Sequence, residues 1–476
     1  MSMTEPSTTL AATTTLSEQI VQWATHRIQE QVFRPGMRMP SVRQLAVDRG
    51  VSRFTVVEAY DRLVARGYLQ ARQGSGFFVR ERANSKPARR ASKATTPPSR
   101  PIDMGWLIRN MQSGIAADMS PGFGYLPPEL CGGDLMRAGL RSVSTTLGLQ
   151  LSHTALAHGY APLREQLCRK LEEMEIASTP AQILTTSGST QAIDLVVRHF
   201  LQAGDTVIVG EPAWSAQLAS LAMVGVNVVG MPYTAAGPDV KALTELAATH
   251  KPKMLLINTP LHNPTGTLLT AAAAYQILRI AEAHNMVVVE DDIYADFLPS
   301  GVQYARLASL DQLKRVVYVG SFSKTLVPGI RVGYLAGSAE LVESLAGLKL
   351  LTSFATPEIN ERIVYQTLTQ GSYRKHCQRM QGAVEALREP AFKRYEAMGL
   401  KAFCRPLAGF LGWVDTGVDT ASLAAMGLEA GYLLAPGAIF SPQQTPSTWM
   451  RINVATSQNA AMLKWMATTL EQLRKT

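Results

Sequence analysis

The 476-residue chain has only four cysteines, Cys131, Cys168, Cys377 and Cys404, and no two of them form a C-x-x-C pair. Neither a zinc site nor a disulfide framework is therefore indicated. No apolar run is long enough to span a bilayer, and the polar, Thr-rich start at 8–15 lacks the basic-then-apolar layout of a secretory leader. The expectation is a soluble, cytoplasmic protein. No G-x-G-x-x-G or G-x-x-x-x-G-K-[ST] motif follows a strand-like run, so dinucleotide and P-loop readings are unsupported. Charged residues are sparse, at 17% against 46% hydrophobic, a globular rather than a disordered balance. The length points to two or three domains.

Excess charge is absent from most of the chain. Residues 101–476 hold 30 Lys and Arg against 30 Asp and Glu, whereas residues 1–100 hold 16 against 7, so the whole net charge of +9 lies in the first fifth. A basic module on a neutral body points to a polyanionic partner, nucleic acid being the usual one. A basic tail without a specific role is the alternative.

Within that module, after a tail at 1–15, Ile20, Val21, Trp23, Ala24, Ile28 and Val32 recur at helical spacing until Pro35-Gly36. Ser41, three residues before Gln44, has capping-box spacing and opens a short helix to about Asp48. Gly50 turns the chain. Ser52 caps a third helix with Val57, Tyr60, Leu63 and Val64 as its buried stripe, ended by Gly67. Extended segments at 68–72 and 76–80 flank Gln73-Gly74-Ser75, which reads as a hairpin. This is the order of a winged helix-turn-helix, whose third helix would meet the major groove with Arg53, Phe54 and Thr55 in its first turn. Arg43 and Arg53 can pair with guanine or phosphate, or be solvated surface charges; Ser41 and Ser52 are also helix caps.

The runs Pro40-Ser41-Val42-Arg43-Gln44-Leu45-Ala46, Val51-Ser52-Arg53-Phe54-Thr55-Val56 and Arg72-Gln73-Gly74-Ser75-Gly76-Phe77-Phe78-Val79 resemble the GntR family of bacterial regulators over residues 16–80. The resemblance implies double-stranded operator DNA as partner. It assigns the main contacts to Arg43, Ser52, Arg53 and Thr55, with Gln73 and Gly74 in the wing.

Residues 81–101, with Lys86-Pro87-Ala88-Arg89-Arg90 and Thr95-Thr96-Pro97-Pro98, read as an exposed linker. Beyond it, short β-branched runs at 205–209, 254–258, 286–290, 315–320 and 331–336 alternate with helix-length stretches. That pattern argues for an α/β body with a mainly parallel sheet.

Chemistry concentrates in Ser321-Phe322-Ser323-Lys324-Thr325-Leu326-Val327-Pro328-Gly329-Ile330-Arg331. One amine stands beside two hydroxyls and a guanidinium, which suits a phosphorylated aldehyde: the amine as nucleophile, Ser and Arg for the phosphate. Five further motifs offer partners. Ser187-Gly188-Ser189-Thr190-Gln191 precedes a helix beginning near Ala192, as a phosphate cradle or an ordinary cap. Glu290-Asp291-Asp292-Ile293-Tyr294 closes a strand, where a carboxylate can pair with a pyridine nitrogen, or serve as metal ligand or surface acid. His262-Asn263-Pro264-Thr265-Gly266 sets an amide in a turn, and Glu211-Pro212-Ala213-Trp214 offers an aromatic face, or a core Trp. Trp449-Met450-Arg451-Ile452-Asn453 embeds an arginine that needs an anion.

In this order the motifs resemble the class I aminotransferases of fold-type I pyridoxal-phosphate enzymes over residues 102–476. The resemblance implies pyridoxal 5'-phosphate as cofactor, with Lys324 in the internal aldimine. It assigns Asp291 to the pyridine nitrogen, Asn263 and Tyr294 to the phenolic oxygen, and Trp214 to ring stacking. Ser189, Thr190, Ser321, Ser323 and Arg331 would take the phosphate, and Arg451 the carboxylate of an amino ligand. Many relatives carry, upstream of Gly159-Tyr160-Ala161, a tyrosine that reaches the partner subunit's phosphate; the register puts Thr154 there.

The whole chain resembles the MocR subfamily of GntR regulators. It implies a homodimer with exchanged readers, a small amino-compound effector, and control of operator binding by the cofactor state. A working aminotransferase that carries a DNA-binding domain is the alternative. A GntR repressor with an inert body is disfavoured because Lys324, Asp291 and Arg331 are all present.

Overall fold

The computed structural model describes residues 15–80, 102–146, 155–302 and 304–475. The tail before residue 15, the linker at 81–101 and Thr154 lie outside the described residues. The chain divides into two compact units, one within residues 1–99 and one within 100–476. No described helix is long and apolar enough to cross a membrane.

The first unit contains helices Leu16–Gln29, Val42–Arg49 and Arg53–Ala65, then strands Leu69–Arg72 and Gly76–Val79. Each helix opens on a hydroxyl cap: Thr15 accepts from the amide of Glu18, Ser41 from Gln44 and Ser52 from Thr55. The capping box at Ser41 forms by half, because the Gln44 amide group donates to Asp48 Oδ1 at 2.7 Å instead of returning to the cap. The first helix ends sooner than its apolar spacing predicts: Gln31 takes a left-handed conformation and Val32 is 48% exposed. In the third helix the buried stripe is Val56, Ala59, Tyr60 and Leu63, not one through Val57. Counting alanine as apolar restores the spacing, and Val57 then falls on the solvent side. The hairpin pairs Arg72 with Gly76 across Gln73-Gly74-Ser75, with Gly74 in the left-handed region. Residues 37–39 add a third edge that sequence pattern did not reveal: Met39 N donates to Phe77 O and Val79 N to Met37 O, both at 2.8 Å.

The body is built on an eight-stranded sheet. Its order is Ile183–Thr186, Gly333–Ala336, Val316–Ser321, Val287–Asp291, Met254–Asn258, Thr206–Glu211, Asn227–Thr234, Gly237–Pro238. The five strands from Val316–Ser321 to Asn227–Thr234 pair in parallel, as the alternation with helices predicts. Gly333–Ala336 is antiparallel to both neighbours. Neighbouring residues feed opposite faces: Ile208, Leu255 and Val288 join one apolar cluster, while Val207, Val209, Leu256 and Val289 join another. Both faces are covered, which explains near-continuous apolar strands. A separate four-stranded antiparallel sheet, ordered Lys401–Ala402, Leu411–Asp415, Trp449–Asn453, Ala435–Pro436, carries Arg451 and anchors a third cluster.

The antiparallel strand Gly333–Ala336 sets the site's geometry. A Cβ on Gly333 would lie 2.7 Å from the carbonyl carbon of Gly188 and 2.9 Å from the amide nitrogen of Ser189. Only glycine lets the start of helix Ser189–Phe200 rest against that strand. Gly333→Ala is expected to lower stability by about 1–3 kcal/mol through overpacking. Gly347→Ala, where a Cβ meets nothing within 4 Å in helix Ala339–Ser353, should be neutral or stabilising. Urea unfolding of the two variants checks this; coincident midpoints would refute the packing argument.

Candidate functional site

Lys324 sits in the turn after strand Val316–Ser321, partly buried, with Nζ donating to Gly124 O at 2.7 Å. The amine lies 3.7 Å from the centroid of the Tyr125 ring and about 6 Å from those of Trp214 and Tyr294. Desolvation brings its pKa down to about 7, Arg451 and Arg331 push the same way, and Asp291 opposes them. A lysine so placed is partly neutral near pH 7 and therefore nucleophilic.

Around the amine, polar groups assemble at the edges of the sheet. Arg331, itself in a left-handed conformation, donates through Nη1 to Ser323 Oγ at 3.2 Å and through Nη2 to Ser187 O at 2.7 Å. Helix Ser189–Phe200 begins at Ser189, three residues earlier than its apolar pattern suggests, and its N-cap is Gly188. With no side-chain cap, the hydroxyls of Ser189 and Thr190 are not spent on the helix's own amides. Ser321 Oγ accepts from the amide of Ser323 at 3.2 Å. Together these groups form a positive, donor-rich corner suited to an anion.

Three consecutive acids follow on the neighbouring strand, and their partners separate them. Glu290 accepts from the amides of Leu307 and Ala308 at 2.9 and 2.8 Å. Asp292 accepts from Arg306, Tyr304 and Tyr318 at 2.8–3.0 Å. Asp291 Oδ1 is buried with no hydrogen-bond partner. Burial, then the charge of Asp292, raises the Asp291 pKa to about 7, against the pull of Lys324. A buried carboxylate oxygen left unpaired calls for a proton donor from outside the chain.

Asn263 Oδ1 accepts from Arg451 Nη1 at 3.1 Å. Tyr294 is buried nearby, its pKa raised chiefly by desolvation. Two small adjoining cavities share Trp214, Ile293 and Tyr294. One is lined by Asn263 and Asp291; the other by Ser189, Thr190, Ser321, Ser323, Lys324 and Arg331. Every cofactor residue expected from sequence therefore lines this pair. Arg451, fully buried in the small sheet, borders it through Asn263, and its Nε has no partner. Burial lowers the Arg451 pKa to about 10.

Sequence reasoning missed residues 120–125. Six consecutive carbonyls of this strap are held: Ser120 by Thr456, Pro121 by the Asn453 amide, Gly122 by Arg451, Phe123 and Tyr125 by the Asn453 side chain, Gly124 by Lys324. All six bonds measure 2.7–2.9 Å. A Cβ on Gly122 would meet the Leu434 backbone at 2.4 Å. The Gly-rich run Pro121-Gly122-Phe123-Gly124-Tyr125 was the available signal.

These residues fit a flat phosphorylated aldehyde with a basic ring nitrogen. Asp291 faces the nitrogen's requirement, the Ser189, Thr190 and Arg331 corner the phosphate's, and Lys324 the aldehyde's.

In the first unit, Arg43 and Arg53 are exposed and form no ion pair among the described residues. Arg62 and Arg66, by contrast, are neutralised by Glu18 and Glu58. Among the described residues Arg27, Arg34, Arg38, Arg49, Arg72 and Arg80 likewise form no ion pair, so the starts of the second and third helices carry part, not all, of the unit's unbalanced positive charge. Ser52 Oγ accepts from the amide of Thr55 and lies 2.8 Å from Thr55 Oγ1, so both hydroxyls are engaged locally. Gln73 and Gly74 are exposed at the hairpin tip.

The family described as "Aminotransferase class I and II" matches residues 147–467, and "Bacterial regulatory proteins, gntR family" matches residues 16–79. The HTH-type transcriptional regulator TauR of Rhodobacter capsulatus is 30% identical, with 96% of each chain covered. The 2-aminoadipate transaminase of Thermus thermophilus is 30% identical over 65% of this chain and 78% of its own. An archaeal alanine:glyoxylate aminotransferase structure superposes with a TM-score of 0.71 at 23% identity, covering 78% of this chain and 95% of that one, which establishes the fold.

The contrast between the acids gives a direct check. In cofactor-free protein at pH 8, Asp292→Asn is expected to lose about 3–5 kcal/mol by leaving Arg306 buried without its partner. Asp291→Asn should cost nothing or stabilise. The Asp291 pKa is raised on folding, so its ionisation penalty grows as pH rises from about 4 to 7. Any gain from Asp291→Asn should accordingly vanish as pH falls towards 4. Equal losses in urea titrations of both variants would contradict the partner assignment.

Proposed function

The chain belongs to the class I and II aminotransferase family, with a gntR-family region at its N-terminus in the arrangement of the MocR regulators, and on that premise we propose that it is a transcriptional regulator whose body binds pyridoxal 5'-phosphate and an amino compound and thereby controls operator binding. The observation that carries the reading is a lysine of pKa about 7 and a buried carboxylate whose Oδ1 has no partner, in one chain with a gntR-family region whose Arg43 and Arg53 form no ion pair among the described residues.

In this reading Lys324 attaches the cofactor through its neutral amine, and Asp291 holds the proton on the ring nitrogen. Asn263 and Tyr294 bond the phenolic oxygen while Trp214 covers the ring. Ser189, Thr190, Ser321, Ser323 and Arg331 take the phosphate, and Arg451 the carboxylate of an amino acid. When bound, the cofactor supplies an aldehyde on which amines can exchange. Arg43, Ser52, Arg53 and Thr55 contact the operator, Ser52 and Thr55 also closing their own helix, with Gln73 and Gly74 in the wing. A homodimer with exchanged readers would match repeated half-sites.

The strap supplies the link. Lys324 and Arg451 hold the carbonyls of Gly124 and Gly122, and both side chains are the ones a ligand claims. Ligand capture would remove two of the ties of this segment, leaving those to Asn453, Thr456 and the Leu433 carbonyl, and the segment follows in sequence from residues 81–101 and helix Trp106–Met111. The alternative, an active aminotransferase, is favoured by the similarity to the 2-aminoadipate transaminase. Multiple turnovers of amino transfer to a 2-oxo acid, without sequence-selective DNA binding, would decide for it.

Purified protein with pyridoxal phosphate should show the visible band of a lysine-bound cofactor, absent in Lys324→Ala; an unchanged spectrum in that variant would sink the anchor. The attachment rate should rise through pH 7 and level off above about pH 8, whereas an ordinary lysine would keep accelerating to beyond pH 10. On a duplex selected from a random-sequence library, Arg53→Ala should weaken binding roughly 10- to 100-fold at fixed salt with its cofactor spectrum intact. Equal binding would remove Arg53 from the interface.

A further inference from the structure

Helix Arg53–Ala65 packs its unit through Val56, Ala59, Tyr60 and Leu63. Phe54 belongs to none of these contacts and is 78% exposed, the most exposed aromatic ring in the first unit. Val57, one turn on and on the same side, is 37% exposed. An isolated apolar side chain on a surface is ordinary. This one stands in the first helical turn, next in sequence to Arg53, an exposed arginine that forms no ion pair among the described residues.

The surroundings narrow what the ring can meet. The Ser52 and Thr55 hydroxyls are 2.8 Å apart, and Ser52 Oγ already accepts from the Thr55 amide. Arg53 and Phe54 are therefore the free side chains of that turn. A benzyl ring cannot serve a phosphate. Among major-groove base edges, the 5-methyl of thymine is the apolar group. We propose that Phe54 is a specificity-determining residue that packs on a thymine 5-methyl in the major groove and commits each half-site to thymine at that step. The assignment rests on the reading of this unit as a DNA reader.

The test uses the full-length protein and its cofactor. Duplexes are selected from a random-sequence library by wild type and by Phe54→Ala, whose exposed position should leave folding and the cofactor spectrum unchanged. Wild type should enrich a thymine in each half-site that Phe54→Ala does not, with the remaining positions preserved. Replacing that thymine by deoxyuridine, which removes only the methyl, should weaken wild type about fourfold per half-site. Phe54→Ala should not notice the change, and Phe54→Leu should recover part of the preference. Thymine enrichment that persists in Phe54→Ala, or wild-type indifference to deoxyuridine, overturns the assignment while leaving the DNA reader intact. Failure of wild type to enrich any sequence overturns the reader itself and the assignment with it.

Discussion

The amine of Lys324 is desolvated within the electrostatic reach of two guanidinium groups, and the rest of the site can be understood as the answer to that constraint. Arg451 and Arg331 both disfavour its protonation, and Asp291 offsets them only in part. The amine is left with a backbone carbonyl and an aromatic face, Gly124 O at 2.7 Å and the Tyr125 ring at 3.7 Å. A cation held so weakly exchanges its proton easily and can give up its hydrogen bond to a better partner. The same logic applies to Asp291, whose neighbours in sequence are fully partnered while its own Oδ1 is not. Two opposite groups, each under-satisfied, define the ends of one pocket.

The motif residues were legible because each has a chemical role that restricts its type: a lysine for an aldehyde, an acid at a strand end, an arginine in an apolar run. The central strands were legible because both faces of the sheet are buried, which writes a continuous apolar run. Other features left fainter marks. Val57 falls on the apolar stripe only when alanine is left out of the pattern, and the true stripe through Val56 depends on Ala59. The early end of the first helix turns on the left-handed Gln31, a conformation that residue type does not announce. The strap at 120–125 is held by side chains distant in sequence, so only its Gly-rich run marks it locally. The antiparallel strand Gly333–Ala336 reads like its parallel neighbours, because pairing direction is set by tertiary context.

The two units show the same device in different chemistry. Around Arg62 and Arg66, acids cancel the positive charge, and around Arg43 and Arg53 they do not. Around Glu290 and Asp292, donors satisfy the carboxylates, and at Asp291 they do not. A buried unbalanced group such as Asp291 Oδ1 is costly to keep in a folded chain unless a ligand completes it, whereas the exposed arginines are solvated. In the proposed reading a polyanion would complete the first unit's surplus and a charged aldehyde the body's. In the same reading the strap is the part of the body that its ligands would disturb, since Lys324 and Arg451 hold two of its carbonyls.

The most direct measurement is the fluorescence anisotropy of a selected duplex titrated with wild type and with Lys324→Ala. Each is measured without additions, with pyridoxal phosphate, and with pyridoxal phosphate plus a mixture of the twenty amino acids. A severalfold shift in the DNA dissociation constant of wild type, absent in Lys324→Ala, is the predicted result. An identical shift in both proteins, or no shift in wild type while amino groups are turned over onto a 2-oxo acid, would contradict the account.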